Sequence, residues 1–350
     1  MTYALTFFVA LAVVVIATPI SMKLAARWGA IAFPGGRHIH KKPIPRLGGV
    51  AIYAAFWGGA SVVPILDEQI IGLFLGSSLI LGVGIWDDIR GLRPLYKLLW
   101  QIAAASLLLL FGFSMKTLTL PFMTQAIDFQ QMGLGFVGLI LMIFWIVGLV
   151  NTVNVSDGLD GLAAGICFIA AVLLFWSANQ IEQPTEAPAH LTLALAGALL
   201  GFLFYNFPPA RVFMGDSGSM FLGFIIGGVS IMGLLKTATV LGLVFPLLIM
   251  GLPVADLAFA IIRRKLRGQS MAMADRGHLH HRLLDAGFTQ KSAVLIMYGI
   301  SVCFGLSAVL SAKGRWILAF AFLALAFALL MVILLRRASI MMVFGRRNKK

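Results

Sequence analysis

A chain of 350 residues would ordinarily divide into two soluble domains, but 60% of these residues are hydrophobic and 11% charged, against roughly 25% charged in soluble proteins. Its 27 Lys and Arg and 13 Asp and Glu leave a formal net charge of +14, which in a soluble chain would point to nucleic acid. The apolar background excludes both a water-soluble fold and that partner.

Taken in chain order, apolar runs occupy residues 3–22, 48–66, 70–86, 98–113, 133–150, 162–178, 190–205, 219–235, 239–262, 293–310 and 316–335. Each is close to the length that crosses a hydrocarbon core of about 30 Å as a helix. The expected fold is an all-α polytopic membrane protein of about eleven transmembrane helices, in a single domain covering 1–350. The first run lacks a basic leader and a small-residue cleavage site, so it is read as a retained helix. Alternate loops divide the basic residues unevenly: Lys116, Lys236, Lys313 and Arg315 fall in one set, and the remaining 23 in the other. By the positive-inside rule the rich set is cytoplasmic, which places the N-terminus outside and the C-terminus, with its basic tail 336–350, inside. Anionic lipid is the expected contact of that tail. Between the runs, Ser114 to Met132 is expected to carry a short hairpin and Asn179 to Ala189 a plain loop. Cys167 and Cys303 both lie within apolar runs and are read as packing residues.

Acidic residues concentrate where three runs end on the cytoplasmic side. Asp87 and Asp88 lie in Gly-Ile-Trp-Asp-Asp-Ile-Arg, Asp157 and Asp160 in Asn-Thr-Val-Asn-Val-Ser-Asp-Gly-Leu-Asp-Gly, and Asp216 in Phe-Met-Gly-Asp-Ser-Gly-Ser. An Asp at a helix centre costs about 2.5–3.5 kcal/mol on insertion scales, so placement near water avoids most of that penalty. Neighbouring carboxylates repel unless a cation or a proton joins them, and oxygen ligands that leave room for phosphate suit Mg²⁺. Asn151, Asn154, Asp157 and Asp160 recur every third residue. On one continuous helix they would drift over about 180°, so the helix is expected to break near Gly158 and Gly161. Gly215 to Gly218 reads as a phosphate- or metal-binding loop at a helix start. Asp256 is the one acid deeper in a run, read either as a packing group or as a support of the site.

Cations complement the acids. Lys42-Pro43-Ile44-Pro45-Arg46 is expected to run extended, with Gly48 and Gly49 opening a helix. In the last cytoplasmic loop Arg276, His278, His280, His281 and Arg282 lie within seven residues, and three of the chain's six histidines within four. That density points to phosphate, nucleotide or metal contact. A zinc site is a weaker match because no Cys is near and the spacing differs from the usual helical His pair.

Lys-Lys-Pro-x-Pro-Arg-x-Gly-Gly, the paired Asp87-Asp88, Asn-x-x-Asn-x-x-Asp-Gly-x-Asp-Gly-Leu, Phe-Met-Gly-Asp-Ser-Gly-Ser and His-Leu-His-His-Arg appear in that order on the deduced cytoplasmic face, from about Arg37 to Arg282. In this the chain resembles the polyprenyl-phosphate N-acetylhexosamine-1-phosphate transferases. The resemblance implies a bacterial inner-membrane enzyme that passes a sugar 1-phosphate from a UDP-linked N-acetylhexosamine to undecaprenyl phosphate, with Mg²⁺, or Mn²⁺ as a substitute. It implies Asp216 as the strongest metal ligand, with Asp88, Asn154 and Asp157 near the metal. Asp87 and Asp88 would lie beside the lipid phosphate, one of them as general base. His281, His280 and Lys97 would contact donor phosphates, and Lys42 and Arg46 would anchor phosphate. Asn151, Asp160, His278 and Arg282 complete the expected substrate contacts, with Asp160 alternatively supporting its own loop. A homodimer is the candidate assembly.

Muropeptide-transferring members carry three consecutive histidines and Thr-Pro-Thr-Met-Gly-Gly in the first motif, whereas here Arg282 follows His281 and Ile44-Pro45-Arg46-Leu47 replaces that version. The sequence is therefore closer to the branch using UDP-N-acetylglucosamine, which starts O-antigen, enterobacterial common antigen or teichoic-acid linkage units. The phospho-N-acetylmuramoyl-pentapeptide transfer of peptidoglycan synthesis is the alternative. An ion-coupled transporter is the rival of another class; its acids would line a mid-membrane pathway, and these gather at one face.

Overall fold

A computed structural model of the chain describes residues 2–34, 43–63, 67–118, 127–179, 186–233, 244–266, 268 and 278–347; for 118, 233, 244–246 and 333–347 only the backbone is described. Lys42 and the Arg276 end of the last loop lie outside these residues. Thirteen α-helices and two short ribbons follow one another among them. The order is α1 (Thr2–Trp28), β1 (Ile31–Ala32), β2 (Ile44–Pro45), α2 (Gly48–Ala60), α3 (Glu68–Arg90), α4 (Pro94–Leu107), β3 (Thr117–Leu118), β4 (Ile127–Asp128), α5 (Gly135–Ser156), α6 (Leu162–Ala178), α7 (Glu186–Asn206), α8 (Gly215–Gly233), α9 (Val244–Ile249), α10 (Gly251–Leu266), α11 (Leu279–Asp285), α12 (Gln290–Ala312) and α13 (Trp316–Arg347). A single 3₁₀ turn, Leu108–Phe111, prolongs α4.

Among the described residues each apolar run is largely helical, and seven of their helices are long and apolar enough to cross a membrane: Thr2–Trp28, Glu68–Arg90, Pro94–Phe111, Gly135–Ser156, Glu186–Asn206, Gly215–Met232 and Gln290–Ala312. The protein is an all-α polytopic membrane protein. Large apolar side chains such as Ile16, Phe144 and Ile317 stand outward, as hydrocarbon surroundings allow. Three elements differ from the runs. With 13 residues α2 spans about 20 Å, less than a full crossing. The run 239–262 is interrupted at Met250, where Pro246, Gly251 and Pro253 crowd a stretch that hydropathy alone reads as continuous. The last helix continues through Arg347, so the basic tail begins as helix.

Local chemistry explains the ends that bear on the site. α3 starts on Asp67, whose carboxylate accepts the Gln69 N–H at 3.4 Å, and stops at Gly91, whose φ of 73° turns its N–H back to the Asp87 carbonyl at 2.8 Å. Pro94 then opens α4, where its missing N–H costs nothing. β2 lies in the stretch expected to run extended and pairs antiparallel with β1, Ile31 opposite Pro45 and Ala32 opposite Ile44; β3 and β4 pair antiparallel in the stretch expected to carry a short hairpin. α5 ends at Ser156, inside the segment of triplet spacing.

The chain packs as two compact units, Met1–Pro246 and Leu247–Lys350. In the first, α8 is the central helix: α3 and α5 flank it, α2, α6 and α7 also touch it, and α1 packs outside on α2 and α7. Although buried throughout, α8 carries Ser217, Ser219 and Ser230, and each has a partner: the Asp88 carboxylate, Asn154 and the Trp145 indole N–H. A buried hydroxyl left without one would cost about 1–3 kcal/mol, so these pairs fix the rotation of α8 against its neighbours. In the second unit α10 and α11 pack on α12, and α11 and α12 on α13. A mostly apolar cavity of about 390 Å³ lies there, walled by Leu252, Phe259, Ile262, Leu279 and Leu330.

The close seam between α3 and α8 depends on Gly84, because a Cβ at that position would run into the backbone of Ser217 and Asp216. Gly84→Ala is expected to lower stability by about 1–3 kcal/mol, read as a lower melting temperature of the purified protein in detergent. An unchanged melting temperature would mean that the seam can open.

Candidate active site

Five chain segments meet at the start of α8. Phe213 donates its N–H to the Pro45 carbonyl at 2.8 Å, and Gly48 and Gly49 donate to the Phe213 and Met214 carbonyls, each at 2.9 Å. The extended Pro43–Leu47 segment is thus stitched to the approach of α8. Gly215 has a φ of 70°, and a Cβ there would strike the Arg46 carbonyl and the Asp88 carboxylate. Only glycine fits.

The expected anion-binding loop at Gly215–Gly218 is occupied from within. Asp88 Oδ1 accepts the Asp216 N–H at 2.9 Å, and Oδ2 accepts the Ser217 N–H at 3.0 Å and its hydroxyl at 2.7 Å. Arg46 Nη2 stands 3.4 Å from Oδ1. A carboxylate at a helix N-terminus is favoured by the free N–H groups and the helix dipole, so the buried charge of Asp88 is compensated by four donors. Both of its oxygens are engaged; it would serve as a metal ligand only after giving up these bonds.

Lys97 of α4 joins the other two acids. Its Nζ lies 2.5 Å from Asp87 Oδ2 and 2.5 Å from Asp216 Oδ2, so carboxylates from α3 and α8 converge on one ammonium. Asp87 Oδ1 accepts the Leu92 N–H at 2.5 Å, which fixes the turn after α3 and aims the other oxygen at Lys97. Two carboxylates focused on one cation form a cation site by geometry.

α5 supplies the third wall. Asn154 donates Nδ2–H to Ser219 Oγ at 2.9 Å, leaving its carbonyl oxygen without a partner among the described residues. Asn151 donates to Gln101 Oε1 of α4 at 2.7 Å and to its own helix at Val147, an anchoring role between spans. Asp157 follows the helix end. Its carboxylate has no hydrogen-bond partner among the described residues, and burial first, then the charges of Asp216 and Asp88, hold it well above the usual carboxylate range. Asp160 accepts the Ala210 N–H at 2.9 Å, while Asn206 accepts the Gly161 N–H at 3.0 Å and donates to the Val212 carbonyl at 2.8 Å. These bonds tie the loop after α5 to the loop before α8. Among the described residues, no three His, Cys, Asp or Glu side chains form a group that could hold a metal unaided.

The histidines belong to the second unit. His278 precedes α11, its Nδ1 3.0 Å from Asp256 Oδ2, and Asp256 Oδ1 accepts the Leu279 N–H at 2.9 Å. The His278 and His280 rings are parallel, with centroids 5.8 Å apart, and His281 lies 4.3 Å from His280. Burial and the neighbouring His281 lower the His280 pKa to about 3, with Asp256 opposing, so its ring is neutral at ordinary pH. Arg282 sits in the same helix and lines the 390 Å³ cavity.

A model of glycosyl transferase family 4 matches residues 70–234, the stretch that carries all five motif aspartates. A probable undecaprenyl-phosphate N-acetylglucosaminyl 1-phosphate transferase of Bacillus subtilis is 37% identical over 313 residues, 89% of this chain and 86% of that protein. The chain belongs to glycosyl transferase family 4. A decaprenyl-phosphate N-acetylglucosaminephosphotransferase of Mycobacterium tuberculosis is 36% identical over 307 residues, 80% of this chain and 75% of its own length. A phospho-N-acetylmuramoyl-pentapeptide-transferase of Clostridioides difficile is 31% identical over 278 residues, 76% of this chain and 82% of its own.

For this family 4 chain the structure brings Asp87, Asp88, Asp216, Lys97 and Arg46 into one charged network, with Asn154 joined to it through Ser219. Asn151 and Asp160 hold backbone and helix, and His278, His280, His281 and Arg282 form a cluster of their own. Sequence reasoning missed Gln101, Asn206, Ser217 and Ser219. Gln101 carried a signal, as a lone amide in the apolar run 98–113; the two serines lay within or beside a motif but look like ordinary small residues.

Lys97→Met removes the cation between two carboxylates and is expected to cost about 2 kcal/mol, less than a fully buried pair because 24% of the side chain is exposed. Adding Asp87→Asn should recover part of that loss; a melting series in which the double variant is no better than the single one would break the assignment. For His280 the folded pKa of about 3 lies below the ordinary 6.5, so on acidification the unfolded chain takes up a proton first. Stability from this group should fall by about 1.4 kcal/mol per unit below pH 6.5 and be unaffected above it. His280→Gln should flatten that slope, measured as melting temperature between about pH 7 and 5.

Proposed function

We propose that the chain transfers N-acetylglucosamine 1-phosphate from UDP-N-acetylglucosamine to undecaprenyl phosphate, releasing UMP and forming a lipid-linked sugar diphosphate that begins a cell-envelope polysaccharide. The observation that carries the reading is the joining of Asp87, Lys97, Asp216, Asp88 and Arg46 in one network at one end of α3 and α8. The names of the Bacillus subtilis and Mycobacterium tuberculosis relatives support the donor sugar, as does Arg282 after His281. In this reading the chain is a multi-pass protein of a bacterial cell membrane with the N-terminus outside, and the network faces the cytoplasm, where the 23 basic residues gather.

Mg²⁺ fits the donor set. Asp216 already shares a cation with Asp87, and among the described residues the Asn154 carbonyl oxygen and the Asp157 carboxylate have no hydrogen-bond partner. An ion held by one or two of these carboxylates would complete its shell with water and phosphate oxygens. When bound, Mg²⁺ would neutralise charge on the donor diphosphate. Mn²⁺ is the expected substitute.

The chain's own residues bind, orient and take the proton. Lys97 and Arg46 supply fixed positive charge for phosphate oxygens at the network; His281 and Arg282, within their own cluster, are read as phosphate contacts. Asp157, whose carboxylate has no hydrogen-bond partner among the described residues and whose affinity for a proton is raised by burial, is the group that takes the acceptor phosphate's proton; Asp88 is committed to α8 and Asp87 to Lys97 and Leu92. Attack of the acceptor oxygen on the donor phosphorus then depends on positioning and charge.

Purified protein incubated with undecaprenyl phosphate, UDP-N-acetylglucosamine and Mg²⁺ should release UMP, and Asp216→Asn should lower the rate by at least about a hundredfold with the fold retained. Release from UDP-N-acetylmuramoyl-pentapeptide in place of this donor, or full activity of the variant, would overturn the assignment.

A further inference from the structure

Asp256 lies in the second unit and takes no part in the network at α8. It sits in α10, three residues after Pro253, and 14% of its side chain is exposed. Each of its oxygens has one defined partner across a separation of more than 20 residues: Oδ1 accepts the Leu279 N–H at 2.9 Å, and Oδ2 faces His278 Nδ1 at 3.0 Å. The first bond satisfies a free N–H at the start of α11. The second has a chemical consequence. A carboxylate only accepts, so His278 Nδ1 carries the proton, and Nε2 of a neutral ring is left as the acceptor. The same ring is parallel to His280, whose ring meets that of His281 at 45°, so the orientation of His278 sets one end of a row of three rings.

We infer that Asp256 is a positioning residue: it seats the histidine helix by its N-terminal N–H and fixes His278 in the Nδ1–H tautomer, leaving Nε2 as the ring's acceptor. This rests on the phosphosugar-transfer reading above for its catalytic consequence, but the tautomer itself does not. The bond is of the kind by which a buried carboxylate holds a functional imidazole in one tautomer, and losing such a partner typically costs about 10- to 100-fold in function.

Asp256→Asn separates the two tasks. The amide oxygen can still accept the Leu279 N–H, but the NH₂ group then faces His278 Nδ1 and donates to it, which moves the ring proton to Nε2. The test uses full-length protein with ¹⁵N-labelled histidine in detergent, comparing wild type, Asp256→Asn, His278→Ala and the double variant. The expected result is a ring protonated at Nδ1 in wild type and at Nε2 in Asp256→Asn. The UMP-release rate should fall about 10- to 100-fold in Asp256→Asn, mainly in kcat, with the double variant no slower than His278→Ala alone. An unaltered tautomer overturns the pairing, and wild-type turnover in Asp256→Asn reduces Asp256 to a structural cap. If wild type itself releases no UMP from this donor, the phosphosugar reading fails, and the spectra alone decide the pairing.

Discussion

The architecture of the first unit depends on a carboxylate at a helix start. Asp88 supplies the negative charge that the first N–H groups of α8 require, and α8 is the helix on which α3 and α5 both rest. A helix whose first N–H groups were buried without partners would be costly. The protein solves this with a residue from α3, and by doing so fixes where the next acid, Asp216, must stand. Asp87 is then held beside it by the turn to Leu92, and Lys97 resolves the repulsion that results.

Charge placement and packing are therefore one problem in this fold. Had α8 been wholly apolar, its rotation would be loosely set, since hydrocarbon neighbours outside a helix are nearly equivalent to hydrocarbon neighbours inside. Ser217, Ser219 and Ser230 remove that freedom by each requiring a particular partner. The same constraint delivers Asn154 to the site, because its bond to Ser219 fixes the α5 face that meets α8.

Much of this was legible in the amino-acid order. Alternation of apolar runs with basic loops located the helices, the triplet spacing from Asn151 to Asp160 required the break that falls after Ser156, and the paired prolines before Arg46 marked the extended ribbon. The shortness of α2 and the interruption at Met250 were not legible, because hydropathy reports which residues avoid water and carries no information on where the backbone stops being helical. The hidden partners were equally invisible. Motif order announces that Asp88 and Gly215 matter; that the carboxylate of one serves the helix that starts at the other is a long-range relation, and only three-dimensional packing contains it. Asp256 lay between two readings for the same reason, since its partners are His278 and Leu279, beyond the end of its own helix.

The glycine seam at Gly84 and Gly215 also bears on how such a chain can diverge. Where backbones touch, no side chain of any kind can be added without moving α8 and the charges seated on it. On the bilayer-facing surface, by contrast, Phe144 or Ile317 can be exchanged for another oily residue at little cost. Mutational drift is thereby steered outward: substitutions are cheap in the lipid-facing coat and costly in the inner seam of small residues, so two descendants could share little of their outer sequence yet keep the same electrostatic centre.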